Sequence, residues 1–181
     1  MDIRKQKTQQ AIRDAFLQLR SEKNLEQITV TELAKAARIS KATFYLHYRD
    51  IYDLSEQMQQ DAVRRVLAHI PSPLDILVDQ AQFSRNVVSA MDEEADVMNI
   101  LFSGLQAAVF PISLEAEIKK RIFSEYPHLK DDAGLNVQLS YHIHGGYYAY
   151  MENVHSIGSK RVLEQIDNIH ATAPIIIERC P

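Results

Sequence analysis

The side chains best suited to molecular recognition in this sequence lie within ten positions, between residues 40 and 49. An amine, a hydroxyl, a phenol and an imidazole follow one another there as Lys41, Thr43, Tyr45 and His47. Groups of these types hydrogen-bond to phosphate oxygens and to the edges of nucleic-acid bases. Such side chains are compatible with contacts to a polyanion, and each is also compatible with an ordinary solvated position.

The charges of the chain are divided in a way that points in the same direction. The formal net charge is −4, yet residues 1–49 carry ten basic and five acidic side chains. The other residues carry ten basic and nineteen acidic groups. A basic N-terminal region on an acidic body is typical of a nucleic-acid-binding protein. Charge alone leaves open chance clustering on a solvated helix face.

Catalytic, cofactor and metal signals are absent from the sequence. It contains neither a Gly-rich phosphate loop nor a nucleophile motif, and the single cysteine is Cys180. His142 and His144 are two positions apart and therefore point in different directions on a helix, and His155 is distant in sequence. We expect no enzyme activity, no cofactor and no metal site.

The hydropathy pattern sets the expected environment. No run of eighteen apolar residues and no apolar N-terminal stretch occur, so neither a membrane span nor a signal peptide is expected. With one cysteine, disulfide bonds within the chain are also excluded. We expect a cytoplasmic protein.

Helical periodicity dominates the sequence, and an all-α fold of about nine helices is therefore expected. Ile12, Ala15, Phe16 and Leu19 form one apolar stripe and predict a first helix over residues 4–22. Further helices are predicted over residues 51–69, 74–91, 94–109, 112–125, 132–156 and 160–178.

Two short helices are predicted between the first helix and residue 51. Thr29 and Glu32 have the spacing of a capping box at the start of one of them. Arg38 and Ile39 form a brief turn, and Ser40 caps a helix that extends to about residue 47. This arrangement matches a helix-turn-helix, and Asp50 to Asp53 then begin the next helix.

The stretch ITVTELAKAARISKATFYLHYRD, residues 28–50, closely resembles the DNA-binding domain of the TetR family of bacterial one-component transcriptional regulators. Thr-Val before the second helix, Ser-Lys-x-Thr-Phe-Tyr on the third and Asp-Leu on the fourth carry the resemblance, which covers about residues 5–55. Beyond residue 60 only the helix number and the long penultimate helix are similar.

The resemblance implies an N-terminal three-helix helix-turn-helix domain, residues 1–50. A linking helix would join it to a larger helical ligand-binding and dimerisation domain, residues 51–181. Such a homodimer places its two recognition helices in successive major grooves, about 34–36 Å apart, on a pseudo-palindromic double-stranded DNA operator.

The resemblance also implies which side chains contact DNA. Lys41, Ala42 and Thr43 match positions near base edges, whereas Phe44 and Tyr48 are expected to face the core. The full set of expected DNA-contacting residues is Thr29, Thr31, Lys41, Ala42, Thr43, Tyr45, His47 and Arg49.

Two departures from the family pattern bear on affinity. Arg38 stands where the family usually has glycine in the turn, which implies either a strained left-handed residue or a different turn. Ile51 stands where the family often has lysine, which implies the loss of one phosphate contact.

The family further implies a cavity in the C-terminal body that binds a small-molecule effector. The side chains expected near it are Phe83, Met98, Phe102, Tyr141, His144, Tyr147, Tyr148 and Met151, with Met91 and Phe110 as further apolar candidates. The alternative for each is an ordinary position in the core or dimer interface.

The penultimate helix contains the pair Gly145-Gly146, and each glycine costs a helix about 1 kcal/mol relative to alanine. Close approach of another helix is the simplest way to offset such a cost, and the last two helices could pair with their mates in a second chain as a four-helix bundle. The residues expected in this interface are Gly145, Gly146, Tyr150, Val162, Ile166 and Ile169. An intramolecular core remains the alternative.

These observations lead to one functional hypothesis and two rivals. The favoured hypothesis is a repressor that an effector releases from its operator. The first rival is an activator or co-regulator of the same fold under the control of a protein partner, and the second is a helical carrier or enzyme.

Overall fold

The structure, a computed structural model, describes residues 3–176 apart from the side chain of Pro73, so Cys180 lies outside the described residues. The all-α prediction is confirmed over this range. The α-helices are α1 (Ile3–Glu22), α2 (Val30–Ala36), α3 (Lys41–Tyr45), α4 (Ile51–Ala68), α5 (Gln80–Glu93), α6 (Ala95–Leu101), α7 (Val109–Glu125), α8 (Ala133–Ile157) and α9 (Ser159–Thr172). Short 3-10 helices span Leu25–Gln27, Pro73–Leu77, Gly104–Gln106 and Pro127–Leu129.

The chain forms two compact units. The first comprises Met1–Ala62 together with Ala95–Ala107, and the second comprises Val63–Glu94 together with Ala108–Pro181. Helix α4 therefore contributes residues to both units. The functional division at residue 50 stays a prediction.

The core of the first unit forms where the apolar stripes of the first four helices meet. Ile12 and Phe16 from α1, Leu33 from α2, Phe44 from α3 and Leu54 from α4 are all completely buried. Burial of each such side chain stabilises the folded chain by about 1.5–3 kcal/mol. The stripe predicted for the first helix is thus confirmed.

Arg20 fastens the segment after α6 to the end of α1 within the first unit. Its Nη1 donates to the carbonyl of Lys23 at 2.8 Å, and its Nη2 donates to the carbonyl of Ile100 at 3.1 Å and to Ser103 Oγ at 3.0 Å. The side chain is 5% exposed, and burial lowers the pKa of its guanidinium. Buried Gln59 donates to the carbonyl of the last residue of α6 at 3.0 Å.

The core of the second unit is built around α8, which packs against α7 on one side and α9 on the other. Ile118 and Ile122 of α7 and Leu135 and Leu139 of α8 are completely buried. Helices α8 and α9 are joined by Gly158 alone, whose φ of +82° lies in a region that L side chains rarely adopt. Glycine therefore permits the tight connection.

The middle of the chain differs from the predicted helices because local caps override periodicity. The helix predicted from residue 74 begins instead at Gln80, where the Asp79 carboxylate accepts the Gln82 N–H at 2.9 Å. The helix predicted over 94–109 ends at Leu101, and Gly104, with a φ of +59°, begins a separate 3-10 helix.

Two further helix boundaries were predicted wrongly. The helix predicted to begin at residue 112 begins instead at Val109, and Pro111 lies in its first turn, where the missing N–H breaks no helical hydrogen bond. The last helix ends at Thr172 rather than at residue 178.

Candidate functional site

The candidate nucleic-acid interface begins at the cap of α2. The Thr29 hydroxyl accepts the backbone N–H of Glu32 at 3.3 Å, as predicted. The reciprocal half of the predicted capping box was wrong, because the Glu32 carboxylate instead forms an ion pair with Lys23. Thr29 and Thr31 both remain exposed at the surface.

The turn between α2 and α3 is a Schellman motif built on a non-glycine residue. Arg38 has a φ of +55°, so the left-handed alternative is the one that occurs. Its N–H donates to the carbonyl of Lys35 at 3.2 Å, and the N–H of Ile39 donates to the carbonyl of Ala34 at 2.9 Å. The hydrogen bonds fix the angle at which α3 leaves the turn.

Helix α3 is held by a cap in front and an aromatic anchor behind. The Ser40 hydroxyl accepts the N–H of Thr43 at 3.0 Å, which confirms the predicted cap. Phe44 is completely buried and Tyr48 is 2% exposed, with ring centroids 5.7 Å apart. The predicted inner face of the recognition helix is therefore confirmed.

The outer face of α3 carries the predicted DNA-contacting side chains. Lys41, Ala42 and Tyr45 are exposed, and Thr43 and His47 are half-buried. Thr43 Oγ1 lies 2.8 Å from Ser40 Oγ, so these hydroxyls share a hydrogen bond. The structure thus brings the predicted residues of α3 together on one surface.

Arg49 lies two positions before the first residue of α4, and its side chain is 81% exposed. Its Nη2 is 3.3 Å from Asp53 Oδ1, and its backbone N–H donates to Asp53 Oδ2 at 2.8 Å. Together with a hydrogen bond from Gln57, this N–H lowers the pKa of Asp53. Asp50 Oδ1 accepts the Asp53 N–H at 2.8 Å, which confirms the predicted cap of α4.

Two further residues of this region, one exposed and one buried, add to what the sequence analysis predicted. Leu46, directly after α3, is 81% exposed beside Tyr45 and was missed. The exposure of Leu46 could have been predicted, because this residue lies between residues 45 and 47, which were expected to face outward. Ile51, by contrast, is buried and contributes to the core of the first unit.

A cavity of about 50 Å³ lies within the second unit. Its apolar lining comes mainly from α5 and α8, including Phe83, Val87 and Ile143. Gln80, Ser84, His142, Tyr147, Tyr150 and His170 supply the polar groups.

Of the residues predicted for the effector pocket, some line the cavity and the others lie elsewhere in the structure. Phe83 and Tyr147 line the cavity, as does the further candidate Met91. Met98 and Phe102 are buried in the first unit and do not line it, because the helix predicted over 94–109 is interrupted.

Four of the remaining pocket candidates lie elsewhere on α8, and Phe110 is buried on α7; none of the five lines the cavity. His144 Nε2 is 2.8 Å from Glu115 Oε2. Tyr141, Tyr148 and Met151 are exposed. Sequence analysis missed Gln80 and His170 and treated His142 only as a possible metal ligand. The sequence did indicate that His142 and His170 are buried, because each continues the apolar stripe of its helix.

A groove opens to the surface between α8 and α9. The residues that line it include Tyr141, Gly145, Gly146, Ala149 and Ile169. A Cβ built on either glycine would have no neighbouring atom within 4 Å. Within the described residues, therefore, no other helix closely approaches the glycine pair.

The residues predicted for the dimer interface fall into two groups. Tyr150, Val162 and Ile166 form a buried cluster with Val88, so they belong to the intramolecular core that was the alternative. Gly145 and Ile169 are exposed, and Gly146 is half-buried. Only the second group presents a free surface.

Other features of the described residues 3–176 add two observations. No three His, Cys, Asp or Glu side chains among them come together in a group able to hold a metal ion. No single helix within that range combines the length and apolarity needed to cross a membrane.

Comparison with known proteins identifies the N-terminal part of the chain. Residues 12–58 match the family model described as bacterial regulatory proteins, tetR family. An uncharacterised HTH-type transcriptional regulator of Haemophilus influenzae is 36% identical over 61 residues, which cover 33% of this chain and 30% of that protein. The uncharacterised HTH-type transcriptional regulator YxbF of Bacillus subtilis is 22% identical over 143 residues, which cover 70% of this chain and 38% of YxbF.

The capped helices, the Schellman turn and the buried anchor of α3 define a helix-turn-helix protein. Residues 12–58, which include the helix-turn-helix, are similar to the domain that defines the tetR family of bacterial regulatory proteins. The matched stretches span about a third of the length of the curated relatives.

Proposed function

We propose that the protein is a DNA-binding transcriptional repressor that acts as a homodimer and is released from its operator by a small-molecule effector. The observation that carries this proposal is the outer face of α3. Lys41 and Tyr45 project from it into solvent, while Phe44 holds the helix from behind. A helix presented in this way fits the major groove of a DNA duplex.

The surrounding surface supports phosphate binding. Arg49 is well exposed beside α3, and Thr29, which carries a hydroxyl, is exposed at the start of α2. The excess of basic side chains in residues 1–49 supplies a long-range attraction for a polyanion. These groups would fix the position of the protein along the duplex, while Lys41 and Thr43 contact base edges.

Homodimer formation is proposed for the groove between α8 and α9. The open space above Gly145 and Gly146 accommodates side chains of a second copy, and exposed Ile169 and Tyr141 supply apolar contact area at its rim. A two-fold dimer would then present two recognition helices to a pseudo-palindromic site.

Effector control is proposed for the cavity of the second unit. Helix α4 contributes residues to both compact units, and a ligand that favours one position of α4 would alter the spacing of the recognition helices. The coupling is reciprocal, so operator DNA would weaken effector binding by the same factor.

The test begins with selection of tight-binding sequences from a pool of random 30-base-pair duplexes, followed by fluorescence anisotropy. We expect Thr43→Ala and Tyr45→Ala each to weaken binding of the selected duplex about tenfold or more, because each removes a direct contact. Tyr126→Ala, at an exposed position after α7, is the matched control and should retain the wild-type affinity. Wild-type affinity in both α3 variants would refute the proposed interface.

A further inference from the structure

The cavity of the second unit has an unusual composition for a ligand site, because none of its described lining residues carries a charge at neutral pH. Aliphatic and aromatic side chains form most of its wall. The polar exceptions that matter for recognition are Gln80, His142 and His170, whose side chains are 7–8% exposed. A charged ligand would therefore lose its hydration without gaining an ion pair.

The two imidazoles form a polar patch within this apolar wall. Their ring centroids lie 5.1 Å apart, and a ring N–H of His142 donates to the carbonyl of Ala173. His170 Nδ1 is buried without a hydrogen-bond partner. An unpaired buried polar atom is costly, so a small rotation of the His170 ring that brings Nδ1 to a hydrogen-bonding group of a ligand would gain affinity.

The electrostatic surroundings keep both rings neutral. Burial lowers the pKa of His142 and of His170, and the proximity of His142 lowers that of His170 further. Asp167, one turn before His170, is paired with Arg85. The patch can therefore exchange hydrogen bonds with a neutral partner at neutral pH.

The volume of the cavity favours a small ligand. At about 50 Å³ it exceeds the roughly 10–15 Å³ that a single water molecule needs. A single ring is therefore a better match to this space than a fused or extended molecule. Phe83 and Tyr147 in the wall provide aromatic contacts for such a ring.

We propose that the cavity binds a small uncharged ring that bears a hydroxyl group, with the ring against the α5 wall and the hydroxyl bonded to the His142–His170 patch. This ligand class deepens the proposed function, on which its role as an effector rests. A hydroxyl both donates and accepts, so it satisfies the free imidazole nitrogen in either tautomer.

The experiment compares phenol, benzene and benzoate as probes of the full chain at pH 7.5. Binding is measured by the shift in melting temperature and by isothermal titration calorimetry. We expect phenol to bind at least tenfold more tightly than benzene, because benzene lacks the hydroxyl, and we expect no binding of benzoate. In spectra of protein labelled with 15N at histidine, phenol should shift the ring nitrogen signals of His170.

Variants separate recognition by the patch from general apolar binding. His170→Phe should reduce phenol affinity to that of benzene, and His170→Gln should retain part of the preference for phenol. Val87→Phe should fill the cavity and abolish binding of both rings. His155→Gln, at an exposed position of α8, is the matched control and should bind phenol like the wild type.

Equal affinity for phenol and benzene, tight binding of benzoate, or binding of none of the three probes would overturn this inference. These measurements contain no DNA, so their failure leaves duplex binding by α3 to be judged separately. Conversely, loss of the proposed DNA binding would leave the ligand class of the cavity intact.

Discussion

At the scale of single residues, the turn of the helix-turn-helix contains a backbone conformation that its side chain disfavours. Arg38 has a φ of +55°, and its exposed side chain forms no part of the core. A left-handed conformation costs an L residue about 1–2 kcal/mol, whereas glycine adopts it freely but loses more entropy on folding.

Replacing this residue by glycine should therefore stabilise the protein. We expect Arg38→Gly to raise the free energy of unfolding by about 0.5–1 kcal/mol, measured by urea denaturation. Lys35→Gly is the contrast, because a glycine in the exposed face of α2 should lower stability by about 1 kcal/mol. A stability loss in Arg38→Gly would show that the left-handed turn carries no strain.

Arg20 is a polar residue whose removal should destabilise the first unit. In Arg20→Met the carbonyls of Lys23 and Ile100 lose a buried donor, and these carbonyls lie at the ends of two helices. We expect a loss of about 1–3 kcal/mol in the free energy of unfolding. Lys5→Met, at an exposed position of α1, should change stability by less than about 0.5 kcal/mol. Equal small effects of the two variants would contradict this role of Arg20.

Much of the site was predictable at this scale because caps and anchors are local. Ser40 and Asp50 cap by bonding backbone groups three residues away, so residue type and spacing specify them. The partner of Glu32 was not predictable in this way. Lys23 lies nine positions earlier, and only the fold brings the two charges together.

At the scale of secondary-structure elements, α8 has one face in the core of the second unit and another, at Gly145 and Gly146, that nothing else in the described part of the chain covers. Its glycine pair lies in open space, so a side chain there can be added without a clash inside the chain. The same addition would obstruct the approach of a second copy along the groove.

Gly145→Leu should thus separate folding from association. We expect a gain of roughly 1 kcal/mol in the stability of the monomer from helix propensity. We also expect a shift from dimer to monomer in sedimentation equilibrium. Ala116→Leu, an exposed position on α7, adds a leucine outside the groove and should leave association unchanged. A Gly145→Leu chain that dimerises like the wild type would place the interface elsewhere.

The limits of sequence analysis are clearest in the elements of the middle region. Apolar residues over 94–109 keep a helical period, yet the chain leaves the helix near Gly104, which favours a left-handed backbone. Long, well-capped helices such as α1 and α4 were predicted closely, because their periodicity and caps agree.

At the scale of the whole molecule, the buried histidines make stability depend on pH. The pKa values of His142 and His170 are lowered in the folded chain, so the unfolded chain takes up protons that the folded chain does not. Stability is therefore complete above the unfolded pKa of about 6.5 and falls as the pH decreases below it.

This dependence is measurable between pH 7.5 and pH 5, above the range in which carboxylates titrate. We expect the free energy of unfolding to fall over this interval and the slope to be smaller in His170→Phe. His155→Gln should retain the wild-type slope, because this histidine is exposed. Stability that stays constant down to pH 5 would mean that the buried rings take up protons in the folded state.

Which elements meet was the least predictable feature at this scale. Periodicity predicts a buried face for each helix but does not name the helix that covers it. The association of Ala95–Ala107 with the first unit depends on bonds from Arg20 and Gln59, residues separated by about eighty and forty positions from their partners. The cavity likewise draws on distant segments and was therefore predicted only in part.

The wall formed by His142, Gly146, Ile166 and His170 has two sides, since these residues line both the inner cavity and the outer groove. If the groove pairs two copies, a molecule inside one copy is separated from the neighbouring copy by this single layer. Ligand affinity would then depend on protein concentration, because the fraction of dimer does. At one ligand concentration, the fraction of cavities that hold ligand would differ between dilute and concentrated protein.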